Sequence, residues 1–355
     1  MSEQILVAGG AGFIGSRLAI ALAKRRPDTA IVAIDNLTRR GSELNLGHLA
    51  AANVKFVHGD IRCPEDLEGA SLESHVVIDC SAEPSVLAGY EAPNRIVQHN
   101  LVGTAILLEQ ARKWNARFVF LSTSRVYPIA ALCSLKLTET EVRYELEDAQ
   151  PMDGVSGEGI AESMSLVGHR SLYGATKLAG ELLVEEYHHA FGIPTVINRC
   201  GVVAGPGQMA RADQGVFSLW AAAHVFNRPL KYIGFGGRGL QVRDLIHVDD
   251  LVDLICLELD QFSEVDGQTF NVGGGASRSL SLRETTDLCA ELSGNRMQFG
   301  SEPANRPGDI PWFITDARPI QQRLSWRPSR SAANTLEDII RWIRDDQESL
   351  SAILA

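Results

Sequence analysis

The sequence predicts an α/β fold: a doubly wound parallel (Rossmann) sheet joined to a smaller, discontinuous α/β C-terminal lobe. Three observations lead there. Short apolar runs alternate with helical patterns through the first half, as a parallel sheet flanked by helices requires. A glycine-rich turn, Gly9-Gly10-Ala11-Gly12-Phe13-Ile14-Gly15, joins the first strand candidate to the first helix candidate. Asp35 ends the second strand candidate, about 20 residues further on.

In chain order, strand candidates cover 5–8, 30–34, 55–58, 76–80, 118–122 and 195–199, each a short apolar run. Helix candidates cover 13–25, 94–113 and 172–190, where apolar residues recur at helical spacing. From Val202 onward the elements become mixed. The sheet domain is therefore expected over 1–198 plus about 243–272, and the second lobe over 199–242 and 273–355. An insertion over 128–170 has an acidic centre (Glu139, Glu141, Glu145, Glu147, Asp148) and then a glycine-bearing run from Gly154 to Gly159. A loop that long is either functional or a solvated surface excursion. No internal repeat or low-complexity segment interrupts the chain.

A chain of 355 residues can bury a large core and carry an extra lobe. Hydrophobic residues at 45% and charged residues at 22% are those of a soluble globular protein. A net charge of -11 and a pI near 5.3 exclude a nucleic-acid surface, which needs basic stripes. An anionic substrate would need a few local arginines. The six cysteines (Cys63, Cys80, Cys133, Cys200, Cys256, Cys289) lack metal-ligand spacing, so no metal is expected and isolated reduced thiols are. With no basic-then-apolar leader and no membrane-length apolar run, the expected location is the cytoplasm.

The glycines of the first turn let backbone N–H groups reach a pyrophosphate at the N-terminus of the helix that Phe13, Ile14 and Gly15 begin. The Asp35 carboxylate can accept both ribose hydroxyls of an adenosine and would repel a 2′-phosphate, which favours NAD over NADP. Arg39 and Arg40 lie close by and leave a phosphate possible. Asp60-Ile61, after the third strand, either touch the adenine or simply form a turn or helix cap. Further on, Tyr173-Gly-Ala-Thr-Lys177 places a phenol and an ammonium one helical turn apart on one face. A free tyrosine titrates near about 10, and a fixed cation nearby favours its phenolate, so the pair can move a proton on and off a substrate hydroxyl.

Taken together, these motifs resemble the extended short-chain dehydrogenase/reductase family, whose members are mostly nucleotide-sugar epimerases and dehydratases. The residues that carry the resemblance are Gly9-x-x-Gly12-x-x-Gly15, Asp35-Asn36-Leu37, Asp60-Ile61-Arg62, Tyr173-x-x-x-Lys177 and Arg243-Asp-Leu-Ile-His-Val-Asp-Asp250. The resemblance runs from the first strand to about Trp326-Arg-Pro328. Within the family the chain is most similar to the CDP-tyvelose (CDP-paratose) 2-epimerases. That subgroup is matched by His58-Gly-Asp-Ile-Arg62, Thr138-Glu-Thr-Glu-Val-Arg-Tyr144, Asp213-Gln-Gly215, Gln241-Val-Arg-Asp244, and Phe270-Asn-Val-Gly-Gly274 followed by Ser279-Leu-Ser-Leu282.

The resemblance implies roles. Tyr173 would be the acid/base, Lys177 would bind the nicotinamide ribose and depress the tyrosine pKa, and Thr123 would hydrogen-bond the reacting oxygen. Asn36, Ser81, Ala82 and Asn100 would join the glycine turn, Asp35, Asp60 and Ile61 around NAD. Arg243 and Arg306 would bind the pyrophosphate of the sugar nucleotide through guanidinium forks. Arg125, Gln214 and the position of Val202 would face the sugar nucleotide. Helices 94–113 and 172–190 would pair across a two-fold axis in a homodimer.

Ser122-Thr-Ser-Arg-Val-Tyr127 separates the reaction types. Dehydratases of the family follow the threonine with an Asp-Glu pair, since elimination needs a separate acid and base. Ser124 and Arg125 stand there instead. Decarboxylating relatives usually keep a glutamate where Arg125 stands. What remains is redox at a carbinol carbon: oxidation to a keto sugar and re-reduction from the other face, giving an epimer. Another nucleotide-sugar 4-epimerase, or a dehydrogenase or reductase, are the alternatives. A non-catalytic NAD sensor is a further one, disfavoured because Tyr173, Lys177 and Thr123 are all retained. Three departures bear on the sugar's identity: Pro128 after Val-Tyr in place of a glycine, Val202 where many relatives have a substrate-binding asparagine, and Ser81-Ala82-Glu83-Pro84 for a small, uncharged run. Glu83 either meets a sugar hydroxyl or is a solvated loop carboxylate.

Overall fold

A computed structural model describes residues 3–69, 71–211 and 214–354. The main sheet consists of β1 (Gln4–Ala8), β2 (Ala30–Asp35), β3 (Lys55–His58), β4 (Val76–Asp79), β5 (Arg117–Thr123), β6 (Thr195–Cys200) and β7 (Gln268–Val272). These seven strands form a parallel sheet in the order β7-β6-β5-β4-β1-β2-β3. β1 lies between β2 and β4, with Ile5 opposite both Ile31 and Val76. The strand order therefore reverses there, and in doubly wound sheets ligands bind beyond the strand ends at such a switch point. Ile5 to Ala8 are all buried, without alternation, because helices cover both faces. β7 was absent from the strands expected from the sequence.

The flanking helices include α1 (Phe13–Arg25), α2 (Pro93–Val97), α3 (Gly103–Trp114), α4 (Leu172–Phe191) and α5 (Val248–Asp260). Leu107 and Leu108 of α3 and Val184 of α4 pack with Leu6, Val77, Phe118 and Phe120 in one core cluster. The single helix expected over 94–113 is interrupted by a π-helical turn, Gln98–Val102. Its apolar residues keep an almost continuous helical pattern, so the extra residue of the wide turn leaves no mark on the periodicity.

The chain divides into two compact units. The first is Met1–Val126, Leu172–Arg199 and Val252–Phe270, and holds the body of the sheet. The second is Tyr127–Ser171, Cys200–Leu251 and Asn271–Ala355. In the second unit, strand Val242–His247 pairs in parallel with Val202–Ala204 and Trp312–Phe313, and antiparallel with Ser279–Ser281. Helices Val216–Val225, Leu282–Ser293 and Ala332–Asp345 supply its core through Trp220, Cys289, Leu336, Ile339 and Ile343. Ser281 with Glu284, and Ser331 with Asn334, close capping boxes on the last two of these helices.

The insertion over 128–170 belongs to this second unit and is more regular than its sequence foretells. It forms helix Ile129–Cys133, a hairpin of Leu137–Glu139 with Tyr144–Leu146, and a smaller hairpin of Val155–Ser156 with Gly159–Ile160. Strands of two and three residues are too short for alternation to show. Part of the acidic centre is engaged: Glu139 pairs with Arg238, while Arg143 of the same hairpin pairs with Glu284 at 3.3 Å.

Candidate functional site

The glycine turn is held open by backbone. Gly9 takes φ +69°, a left-handed conformation, and its carbonyl accepts from Gly12 N at 3.0 Å. A Cβ on Gly15 would sit 2.1 Å from that same carbonyl oxygen, so α1 starts flush against the turn. No side chain caps α1 at Gly12, which leaves the first-turn N–H groups, including those of Phe13, Ile14 and Gly15, for an anion. The Asp35 carboxylate accepts from Ala11 N at 3.1 Å and from Leu37 N at 2.8 Å. Burial pushes its pKa up, against the pull of these N–H donors. Leu37 pays for this bond with a left-handed φ of 54°, unusual for a leucine. Asn45 Nδ2 braces the turn from the side by donating to Ala11 O at 2.8 Å.

Asn36 and Asp60 come together, with Asn36 Nδ2 donating to Asp60 at 3.0 Å. Arg62 grips the same carboxylate through Nε at 2.9 Å and Nη2 at 2.5 Å, which holds Asp60 well below the usual carboxylate range. Ile61 is buried, and a Cβ on Gly103 at the start of α3 would lie 2.6 Å from its Cδ1. Ser81 borders the glycine turn: a Cβ on Gly9 would meet Ser81 Cα at 2.9 Å. Ser81 N and Oγ both donate to Asp79, whose other oxygen accepts from Thr104 Oγ1 at 2.8 Å. Ala82 follows on the same loop.

Glu83 is not a solvated loop carboxylate. It is 8% exposed and pairs with Arg95 at 2.7 Å. Its backbone is clasped by Asn100, which accepts from Glu83 N at 2.7 Å and donates to Glu83 O at 3.1 Å. The π-helical turn aims Asn100 inward, where it is fully buried and also donates to Thr176 Oγ1 at 3.3 Å. Thr176 in turn donates to Tyr173 O at 2.9 Å. A hydrogen-bonded chain thus links the Glu83 loop to the helix turn that carries Tyr173.

Tyr173 is half-buried and Lys177 is 1% exposed, with Nζ 4.0 Å from the centroid of the Phe120 ring. Thr123 ends β5, is buried, and accepts from Arg125 N at 3.2 Å. Tyr173, Lys177, Thr123, Arg125 and the residues expected around NAD all lie in the first unit. Sequence reasoning missed a buried clasp beside them. Ser122, one residue before Thr123, donates to Glu181 at 2.5 Å, and Arg199 of β6 grips the same carboxylate at 2.7 Å. The one available signal was spacing: 173, 177 and 181 form a single line along a helix.

The remaining sequence candidates lie in the second unit. Val202 and Arg243 stand on paired strands. Arg243 donates to Asp309 Oδ1 at 3.0 Å and to the carbonyls of Val242 and Ile310 at 2.7 and 2.6 Å. Arg306 is tied to that cluster by a hydrogen bond from Asp309 N to its carbonyl at 3.2 Å. Gln214 forms an antiparallel bridge with Arg211 ahead of helix Val216–Val225, its N donating to Arg211 O at 3.1 Å. Asp213, next to it, lies outside the described residues. Among the described residues no group of His, Cys, Asp and Glu could hold a metal ion, and no helix is long and apolar enough to cross a membrane. No disulfide joins the six cysteines.

Similarity to known proteins extends along nearly the whole chain. Residues 5–273 match the NAD dependent epimerase/dehydratase family. The CDP-paratose 2-epimerase of Salmonella typhi is 31% identical over 347 residues, covering 96% of this chain and 98% of that protein. The dTDP-glucose 4,6-dehydratase of Streptomyces niveus is 28% identical over 351 residues, covering 97% and 94%. Among solved structures, the UDP-glucuronic acid 4-epimerase from Bacillus cereus, in complex with UDP-glucuronic acid and NAD, superposes with a TM-score of 0.78 at 26% identity over 96% of this chain and 99% of that one. The side-chain-free cradle of Gly9, Gly12 and Gly15, the uncapped helix start and the Asp35 carboxylate fit a dinucleotide. The chain belongs to the NAD dependent epimerase/dehydratase family, and NAD is its cofactor.

Proposed function

We propose that the protein is a nucleotide-sugar epimerase that oxidises a sugar carbinol to a ketone and reduces it again, with a CDP-sugar of the paratose/tyvelose type as substrate and C2 as the reacting carbon. One observation carries this reading: Tyr173, Lys177 and Thr123 are present together, while Ser124 and Arg125 supply no carboxylate for elimination. The similarity to the Salmonella typhi CDP-paratose 2-epimerase supports the choice of sugar nucleotide.

When bound, NAD supplies the acceptor and donor of the hydride. Tyr173 takes the hydroxyl proton as the carbonyl forms and returns it after the sugar has presented its other face. Lys177 favours the phenolate by its charge, and the Thr123 hydroxyl holds the reacting oxygen. Arg243 and Arg306 bind the pyrophosphate, with Asp309 orienting the Arg243 fork. The protein works as a homodimer in the cytoplasm, paired through α3 and α4, where Leu182 is 60% exposed.

The test is a screen of CDP-, UDP- and GDP-sugars with purified protein, after mass spectrometry of any released ligand. Interconversion of two CDP-sugar epimers without net use of NAD is expected. Stoichiometric NADH release would instead make the protein a dehydrogenase, and turnover confined to UDP-sugars would overturn the CDP assignment. Tyr173→Phe should keep its NAD and lose turnover by about 10²–10⁴-fold.

A further inference from the structure

The line that begins with Tyr173 and Lys177 continues one helical turn later with Glu181, for which the proposed chemistry has no task. Its carboxylate is 1% exposed, yet it is fully engaged. Ser122 Oγ donates to Oε1 at 2.5 Å, Arg199 Nε reaches both oxygens at 3.1 Å, and Arg199 Nη2 reaches Oε2 at 2.7 Å. A carboxylate offers about four lone-pair sites, and four contacts fill them. Lys177 stands four residues before Glu181, a spacing at which opposite charges on a helix attract. A carboxylate with spare acceptor sites would draw the ammonium along the helix, away from the phenol on its other side.

We propose that Arg199 is a positioning residue for the Tyr173–Lys177 pair: by saturating Glu181, it leaves the charge of Lys177 to Tyr173. The proposal rests on the reading of Tyr173 as the acid/base. Ser122 ties the same carboxylate to β5, so the strand that ends in Thr123 and the helix that carries Tyr173 share one anchor.

Other charged groups stand on the elements packed around this helix. Glu185, one turn further, is pushed up by burial and then by Glu181, with Arg199 and His189 acting the other way. Arg125 follows β5, Arg95 pairs with Glu83, and Arg112 pairs with Glu109 on α3. None of these residues is substituted in the variants below, and Glu185 itself should move up without Arg199 and down without Glu181.

The test isolates the Tyr173 titration as the difference in phenolate ultraviolet absorbance between a background protein and its Tyr173→Phe counterpart, both loaded with NAD. It needs no sugar substrate. Arg199→Met leaves the Glu181 charge uncompensated, and should raise the Tyr173 midpoint by about one unit, roughly a tenfold loss of phenolate. Glu181→Gln leaves the Arg199 charge uncompensated and should lower the midpoint by a similar amount, about one unit. The double variant should return close to wild type. A merely structural role would not produce opposite signs and mutual rescue. Should Arg199→Met fail to fold, Arg199→Lys, which keeps the charge but loses the fork on Glu181, should raise the midpoint in the same direction by a smaller amount, and no rise there overturns the proposal. Single variants that shift the same way, or not at all, overturn the proposal. A wild-type midpoint near the ordinary value of about 10 sinks the acid/base reading as well, and is recognised before any Arg199 or Glu181 variant is made.

Discussion

Replacing Gly15 with alanine adds one methyl group where the fold has no room for it. Built on the backbone, that carbon lies 2.1 Å from Gly9 O, 2.8 Å from Gly9 C and 2.9 Å from Gly10 Cα. Ordinary carbon contacts sit at about 3.5–4.0 Å, so α1 and the glycine turn must part by roughly 1.5 Å. All three neighbours are backbone atoms, and no rotamer change relieves the clash. Overpacking of this kind costs about 1–3 kcal/mol, and the short approach places this site near 3. At roughly 2–4 °C per kcal/mol for a domain of this size, the melting temperature should fall by about 6–12 °C. The displaced turn should also lose NAD.

Gly12→Ala is the contrast. Its Cβ would meet a single atom within 4 Å, Gly9 O at 3.1 Å, and Gly12 already has an extended conformation open to alanine. It should melt within about 2 °C of wild type, since the overlap is slight, yet lose NAD because the methyl projects from the helix start toward the anion. Scanning fluorimetry of the NAD-stripped proteins, beside quantification of the cofactor that untreated samples release on denaturation, reads the two effects separately. A Gly15→Ala protein that melts with wild type and retains NAD, or a Gly12→Ala protein that is the less stable of the two, would refute the reasoning.

Two further outcomes follow from other sites. Burial pushes the Glu258 carboxyl up to about 8, and its Oε2 accepts from Asn198 Nδ2 at 2.9 Å. The folded value lies above the unfolded one, so its stabilising contribution is complete below about 4.5 and is lost as pH rises toward 8, at about 1.4 kcal/mol per pH unit. Glu258→Gln should therefore gain melting temperature over wild type progressively across that window, and a gap that ignores pH would show the carboxyl to be ionised in the fold. Arg243→Met should raise KM for the sugar nucleotide by about 10–100-fold, the loss of one or two charge-assisted hydrogen bonds. NAD content should be unchanged. An unaltered KM would remove Arg243 from the substrate site.

The sheet was legible because each early strand is an apolar run bounded by a turn, and because the glycines and Asp35 sit where only one topology uses them. What stayed hidden depends on tertiary distance or on a single extra residue. The Glu181–Arg199 ion pair joins α4 to β6 across 18 positions, and neither residue marks the other in the sequence. Glu83 read equally well as exposed, because its partner Arg95 comes from a helix whose approach to the loop cannot be inferred from periodicity. The strained Leu37 is set by the Asp35 carboxylate rather than by any turn-forming residue. In the insertion, elements of two and three residues fall below the length at which a pattern can repeat.

The turn Gln98–Val102 holds one residue more than an α-helix would spend on the same rise. It therefore absorbs one residue locally: α2 and α3 run on together, and the extra residue widens the turn between them. Deleting any one residue within it would let the segment rewind as a regular helix, with α2 and α3 kept in nearly the same phase but the wide turn gone. Asn100 would then swing off both the Glu83 loop and Thr176, which it now ties together. In this stretch chain length rather than composition is under constraint, and a shorter, more ideal helix would be the poorer one.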